Sequence, residues 1–265
     1  MASYRIHVLK VGELTVPLTM LSLAGDLNSM VTGPVFIWYI EGGDKKILMD
    51  AGVARPDAKG LVHGFPVSGG GEEGVCSALA SVGSAPEEID ILVLSHLHID
   101  HCSEVRLFKN ARILVQKREW QTAFNPIPTM RAIYDSSYFL PLERMDLALI
   151  DGDCDVADGV RALLAPGHTQ GNQGLAISTA KGTVVLAGDA CYSNLNLDST
   201  LTEFEDMKGK RFQFPARPDL PFRPQPAHVD LTEWFDSMWK LVAAASSRAL
   251  VFPGHEVSLV GKVIG

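Results

Sequence analysis

No apolar run in this sequence approaches the roughly 20 residues that a membrane-spanning helix needs. The run 34–40 is far too short, and the longer uncharged stretch 162–180 is broken by Pro166, His168, Gln170, Asn172 and Gln173. The segment 1–11 carries Arg5, His7 and Lys10 and lacks the apolar block of a secretory signal. Cysteine is scarce: Cys76, Cys102, Cys154 and Cys191 are too few for a disulfide framework in 265 residues, and no two form C-x-x-C. These absences point to reduced thiols in a soluble, cytoplasmic protein with no membrane partner. Basic residues are also in deficit, 23 against 31 acidic ones for a net charge of −8, which opposes binding to nucleic-acid backbones and anionic surfaces. No short repeat period is present.

What is present is ordinary globular material, 46% hydrophobic and 20% charged, enough for a sizeable core. The expectation is a single domain over 1–265. Short β-branched apolar runs at 35–40, 46–49, 91–94, 112–115, 160–164, 175–178, 183–186 and 250–252 read as strands. Helices are expected at 74–82, 104–108, 118–123 and 231–246; in the last, Trp234, Met238, Leu241, Val242 and Ala245 make one apolar stripe. Strands and helices interleave irregularly, so an α/β fold with two sheet layers covered by helices is favoured over a doubly wound parallel sheet. Within about 202–226 lies a Pro-rich insert, with five of the chain's 15 prolines at Pro215, Pro218, Pro221, Pro224 and Pro226. It reads as stiff and extended. Because it follows Asp189 and Tyr192 closely, it is expected to form a wall or lid of a cleft, or else a brace on the outer sheet.

The chemistry concentrates in S-H-L-H-I-D-H-C at 95–102, directly after the run ending at Leu94. In an extended segment leaving a strand, residues two apart face the same way, so His96 and His98 can reach one metal ion. Asp100 and His101 fall in the next turn and can reach a second. Three further candidate ligands stand at the ends of later strands: His168 in A-P-G-H-T, Asp189 in A-G-D-A-C-Y and His255 in F-P-G-H-E. Each follows a glycine, which suits a tight turn that aims the next side chain into a shared cleft. His7, His63 and His228 lie outside this pattern and read as surface or capped histidines. Cys102 and Cys191 read as small core residues rather than ligands or nucleophiles.

The H-x-H-x-D-H motif at 96–101, the three later ligands in order and Met49-Asp50-Ala51-Gly52 ahead of them resemble the metallo-β-lactamase-fold hydrolases, and within these the N-acyl homoserine lactonase group. The resemblance covers about residues 30–258. It implies an αββα four-layer sandwich with a dinuclear zinc site: His96, His98 and His168 on one ion, Asp100, His101 and His255 on the other, and Asp189 bridging. It also implies that Tyr192 contacts the substrate carbonyl and leaving oxygen; a half-buried aromatic without that role is the plainer reading. Asp50 is expected to hydrogen-bond a ligand loop rather than bind metal.

Two divalent ions would acidify a shared water and deliver hydroxide at neutral pH, so hydrolysis is the expected reaction. Asp100 would accept that water's proton and pass it to the leaving group, and Tyr192 would donate to the developing oxyanion. Nitrogen and oxygen ligands with histidine in the majority favour zinc. The leading expectation is opening of a lactone, N-acyl homoserine lactones included, with a small molecule as substrate and a homodimer left open. The alternative is an aryl ester, phosphotriester or thioester hydrolase, for which Phe204, Phe212, Phe214 and Phe222 or Arg211, Arg217 and Arg223 of the insert would supply an aromatic cage or an anion clamp. A third class is a metal-stabilised binding protein without turnover.

Overall fold

The computed structural model describes residues 3–22 and 24–265. Strands β1 (Arg5–Pro17), β2 (Met30–Glu41), β3 (Ile47–Met49), β4 (Leu61–Val62) and β5 (Phe65–Gly69) precede helix α1 (Gly71–Ala80). Next come β6 (Ile91–Val93), β7 (Arg112–Gln116), α2 (Lys117–Phe124), α3 (Ser136–Phe139) and β8 (Asp146–Ile150). The second half holds β9 (Cys154–Ala157), β10 (Val160–Leu164), β11 (Gln173–Thr179), β12 (Gly182–Leu186), α4 (Asn194–Leu197), β13 (Glu203–Glu205), β14 (Arg211–Gln213), α5 (Leu231–Ala244), β15 (Val251–Phe252) and β16 (Val263–Ile264).

Among the described residues these strands form a nine-stranded sheet, β4-β5-β1-β2-β3-β6-β7-β8 with β16 added to β1, and a five-stranded sheet, β15-β12-β11-β10-β9. Strand periodicity sorts the core. On β2, Phe36, Trp38 and Ile40 face the second sheet and meet Ala162, Leu175, Ile177 and Val184, while Ile37 and Tyr39 face the layer containing Val75 and Leu79 of α1. The outer face of the second sheet packs Leu163 and Val185 on Trp234, Met238 and Leu241 of α5. Those three recur at helical spacing, and the helix is started by Asp230, whose side chain accepts from Glu233 N at 2.9 Å. The result is helix, sheet, sheet, helix.

Two expectations are corrected. The segment 104–108 is only a single tight turn at Val105–Leu107. The insert is not simply extended: β13 and β14 pair as a hairpin, Phe204 opposite Phe212, because Asp206 turns the chain by accepting from Lys208 N and Lys210 N. Strand β1 is the longest of all, yet no apolar run marks it, since Arg5, His7, Lys10, Gly12 and Glu13 interrupt the sequence and its pairing with β2 shifts register between Lys10 and Gly12.

Topology sets where loops can meet. Strands β3 and β6 are parallel and in register, Met49 beside Val93, so Asp50 and the segment after Leu94 leave the sheet at one edge. In the second sheet β12 and β15 are parallel, Leu186 beside Phe252, so the segments carrying Asp189 and His255 leave side by side.

Candidate metal centre

The loop that follows β6 is held from below by Asp50. Its Oδ1 accepts from Ser95 N at 2.7 Å, and its Oδ2 accepts from Ser95 Oγ at 2.9 Å and from His101 Nδ1 at 2.8 Å. Asp50 itself sits at φ 67°, a left-handed conformation that costs an aspartate energy and that these bonds hold in place. Glycines bring the later residues in for different reasons. Gly188, at φ 53°, turns the chain into Asp189. Gly254 gives room, because a Cβ there would stand 2.7 Å from Asp189 Oδ1.

All seven histidines and aspartates singled out by spacing converge on one point. His98 Nδ1 lies 2.9 Å from His96 Nε2 and 3.1 Å from His168 Nε2. His101 Nε2 and His255 Nε2 each stand 3.7 Å from Asp100 Oδ2. Asp189 lies between the two groups: its Oδ2 is 3.8 Å from His96 Nε2, 3.6 Å from His168 Nε2 and 3.3 Å from His101 Nε2, and its Oδ1 is 3.1 Å from His255 Nε2.

The far nitrogen of four of these rings is already engaged, which assigns the near one. His96 Nδ1 donates to Ser95 Oγ at 3.0 Å, His101 Nδ1 to Asp50, His168 Nδ1 to Ala227 O at 2.6 Å, and His255 Nδ1 to Pro34 O at 2.8 Å. Their Nε2 atoms are thereby turned toward one another, and in the deprotonated form that ligates they present lone pairs. Such an arrangement repels itself unless cations lie among the lone pairs. In keeping with this, His101 Nε2 and Asp189 Oδ1 are buried without a hydrogen-bond partner. Ligand atoms about 3.3 Å apart are what a tetrahedral ion with bonds near 2.0–2.1 Å requires. The donor set therefore fits two divalent ions.

Electrostatics separates the two groups. Burial, reinforced for His96 and His98 by neighbouring imidazoles, holds His96, His98 and His168 below the usual histidine range, so all three are neutral. Burial also disfavours charge on His101 and His255, but Asp189 and Asp100 outweigh it and raise both, His101 most. For Asp189 burial opposes ionisation, yet His101 and His255 pull its carboxyl well below the ordinary range.

An apolar cavity opens from this centre. Leu14, Met20, Phe65, Ile99, Ile133 and Phe204 are among its walls, and His98, Asp100, Asp189, Tyr192 and His255 close one end. No lysine or arginine lines it among the described residues. The insert's Arg211 pairs with Glu205 and Glu203, Arg217 with Asp219, and buried Arg223 donates to the carbonyls of Ser199, Leu201 and Pro215. Of the four insert phenylalanines only Phe204 reaches the cavity; Phe222 packs on Trp239 with ring centroids 4.8 Å apart. The Tyr192 hydroxyl is 3.5 Å from His168 Nδ1. Burial and the charges of Asp189 and Asp100 push that phenol well above the usual tyrosine range, so it keeps its proton.

Residues outside the motif are positioned as their sequence context suggested. His7 meets Glu41 at 3.0 Å, His63 meets Asp135 at 2.7 Å, and His228 Nδ1 bonds Gln225 O at 2.7 Å. Cys102 and Cys191 are fully buried, with thiols bonded to the carbonyls of Leu97 and Ser193. Ser95, Glu119 and Tyr134, which hold the ligand loops, carried no signal in the sequence. A serine or a first-turn glutamate normally faces water, and only the assembled fold buries these.

Residues 30–255 match the profile described as the Metallo-beta-lactamase superfamily. An N-acyl homoserine lactonase of Bacillus thuringiensis subsp. kurstaki is 32% identical over 174 residues, 62% of this chain and 67% of that relative. The fold is also that of a solved N-acyl homoserine lactone hydrolase with N-hexanoyl-L-homoserine at its catalytic metal centre, with a TM-score of 0.76, 24% identity and coverage of 97% of this chain and 95% of that one. A second solved structure, the dizinc quorum-quenching lactonase AidC with the same product, aligns with a TM-score of 0.70 at 18% identity over 97% and 89% of the two chains.

Proposed function

From the premise that this chain belongs to the metallo-β-lactamase superfamily, we propose that it is a dinuclear metal-dependent hydrolase that opens lactones, N-acyl homoserine lactones first among them. One observation carries the reading: two ligand groups meet at Asp189 on the floor of a cavity with apolar walls and, among the described residues, no lysine or arginine. An acyl chain is compatible with such walls, and the lactonase relatives act on substrates of that kind. The phosphotriester and glutathione-thioester alternatives lose support, because the insert's arginines are engaged elsewhere.

His96, His98 and His168 would hold one ion, Asp100, His101 and His255 the other, with Asp189 shared between them. Histidine-rich nitrogen and oxygen ligands favour zinc. When bound, two divalent ions supply Lewis acidity, acidifying water and polarising an ester carbonyl. The chain's own groups do the rest. Asp100 takes the proton of the attacking water and returns it to the ring oxygen as the carbon–oxygen bond breaks, yielding a hydroxy acid. Tyr192, held protonated, donates its O–H to the oxyanion that forms on the former carbonyl. The walls exclude bulk water, and Phe204 makes the hairpin of the insert part of that enclosure. The whole chain acts as one domain in this reading, and its site of action is the cytoplasm; among the described residues no helix is long and apolar enough to cross a membrane.

The test is a panel of N-acyl homoserine lactones, p-nitrophenyl esters, thioesters and phosphotriesters assayed on one metal-analysed sample. Highest kcat/KM on the lactones supports the proposal; a preference for phosphotriesters or thioesters contradicts it.

A further inference from the structure

Glu119 is the third residue of α2, a place where a glutamate is normally solvated, yet it is completely buried. Four donors surround its carboxylate. Oε1 accepts from Leu97 N at 3.0 Å and Tyr134 Oη at 2.8 Å; Oε2 accepts from Thr169 Oγ1 at 2.6 Å and Gly171 N at 3.1 Å. An ionised carboxylate is the one side chain that offers only acceptors in this number, so the four partners select it over glutamine.

The partners belong to one half of the centre. Leu97 lies between His96 and His98, while Thr169 and Gly171 follow His168. The ring of Tyr134 packs edge-on against His98 with centroids 4.6 Å apart. The loop after His168 is seated directly on α2, since a Cβ at Gly171 would lie 2.3 Å from Glu119 N. No bond of this carboxylate reaches Asp100, His101 or His255, whose outer contacts run instead to Asp50 and Pro34 O.

We infer that Glu119 is a positioning residue for one ion alone, fixing the two loops that bring His96, His98 and His168 together without touching metal or substrate. The inference rests on the two-ion reading of the site. It explains why two loops far apart in sequence bring His96 Nε2 and His168 Nε2 each within hydrogen-bond distance of His98 Nδ1: a single anion beneath them binds both.

The experiment is zinc binding to the full-length protein by competition with a chromophoric chelator, for the wild type and Glu119→Gln, with thermal melts alongside. Glutamine keeps the shape but turns an N–H₂ toward two donors. The expected result is one ion held as in the wild type and the other weakened by about 10–100-fold, the usual effect of losing a group that orients a ligand. In a His96→Ala background, where that site is already lost, Glu119→Gln should change the remaining affinity little. Two ions bound as in the wild type, or both weakened equally alongside a lower melting temperature, would overturn the inference. Should Glu119→Gln fail to fold, Tyr134→Phe and Thr169→Val each remove one donor and must weaken the same single ion; unchanged affinity in both would overturn it equally. A wild type that holds no second ion would overturn the proposed function, and this inference with it.

Discussion

Asp50 and His101 form a buried pair, the Asp50 Oδ2 accepting from His101 Nδ1 at 2.8 Å, and this bond decides which nitrogen His101 turns into the centre. Asparagine tolerates the left-handed backbone at position 50 but cannot accept from Ser95 and His101 with both side-chain ends. Asp50→Asn should therefore weaken the ion of the Asp100, His101 and His255 group by about 10–100-fold, and the other, which Asp50 reaches only through Ser95 and His96, by less. Chelator competition measures this, and the more affected ion is the one that the change at Glu119 should leave alone.

Tyr192 separates lactone chemistry from generic ester hydrolysis. Tyr192→Phe should lower kcat on a lactone about 10²-fold, the low end for one lost oxyanion donor, with KM changed much less. On p-nitrophenyl acetate, whose phenolate departs without help, the loss should be smaller. Steady-state kinetics on both substrates with one preparation checks the contrast.

The insert is wall at one residue and brace at another. Phe204 borders the cavity, so Phe204→Trp should raise KM for long acyl chains more than for short ones. Phe222 is fully buried against Trp234 and Trp239, so Phe222→Ala should cost about 3–5 kcal/mol of stability and leave chain-length preference alone. Thermal melts and a chain-length series together distinguish the two.

Metal uptake should release protons at neutral pH. His101 and His255, raised by their aspartates, hold protons more readily in the metal-free centre than a free histidine does, while burial keeps His96, His98 and His168 below the usual range. Below the raised values both protons are in place and must be displaced, so affinity falls as pH falls; above them the full affinity is expressed. Titrating zinc into metal-free protein in weak buffer at pH 7 should free about one to two protons per chain. Uptake without proton release would contradict the assignment.

Much of this was readable from residues alone, for stated reasons. Ligands two apart after a strand must share a side, and the A-P-G-H, A-G-D and P-G-H turns end strands whose parallel neighbours bring them together. Apolar runs marked the central strands because both of their faces are buried. Strand β1 escaped since Arg5, His7, Lys10 and Glu13 interrupt its apolar residues and a register shift breaks the pattern. The hairpin β13–β14 escaped because the prolines that follow it, from Pro215 on, set the reading of the whole insert, while its turn depends on the Asp206 side chain. Glu119 could not be told from a solvated helix glutamate, because burial is a property of the loops that fold over it and not of its own neighbours in sequence.

The central claim is that lactone opening depends on both ions at this centre. Its most direct measurement is the initial rate of N-acyl homoserine lactone hydrolysis as zinc is added stepwise to metal-free protein, plotted against ions bound per chain. A negligible rate at zero and a full rate reached at about two ions is the predicted result. Full activity in the metal-free protein, or a rate that ignores occupancy, would contradict it.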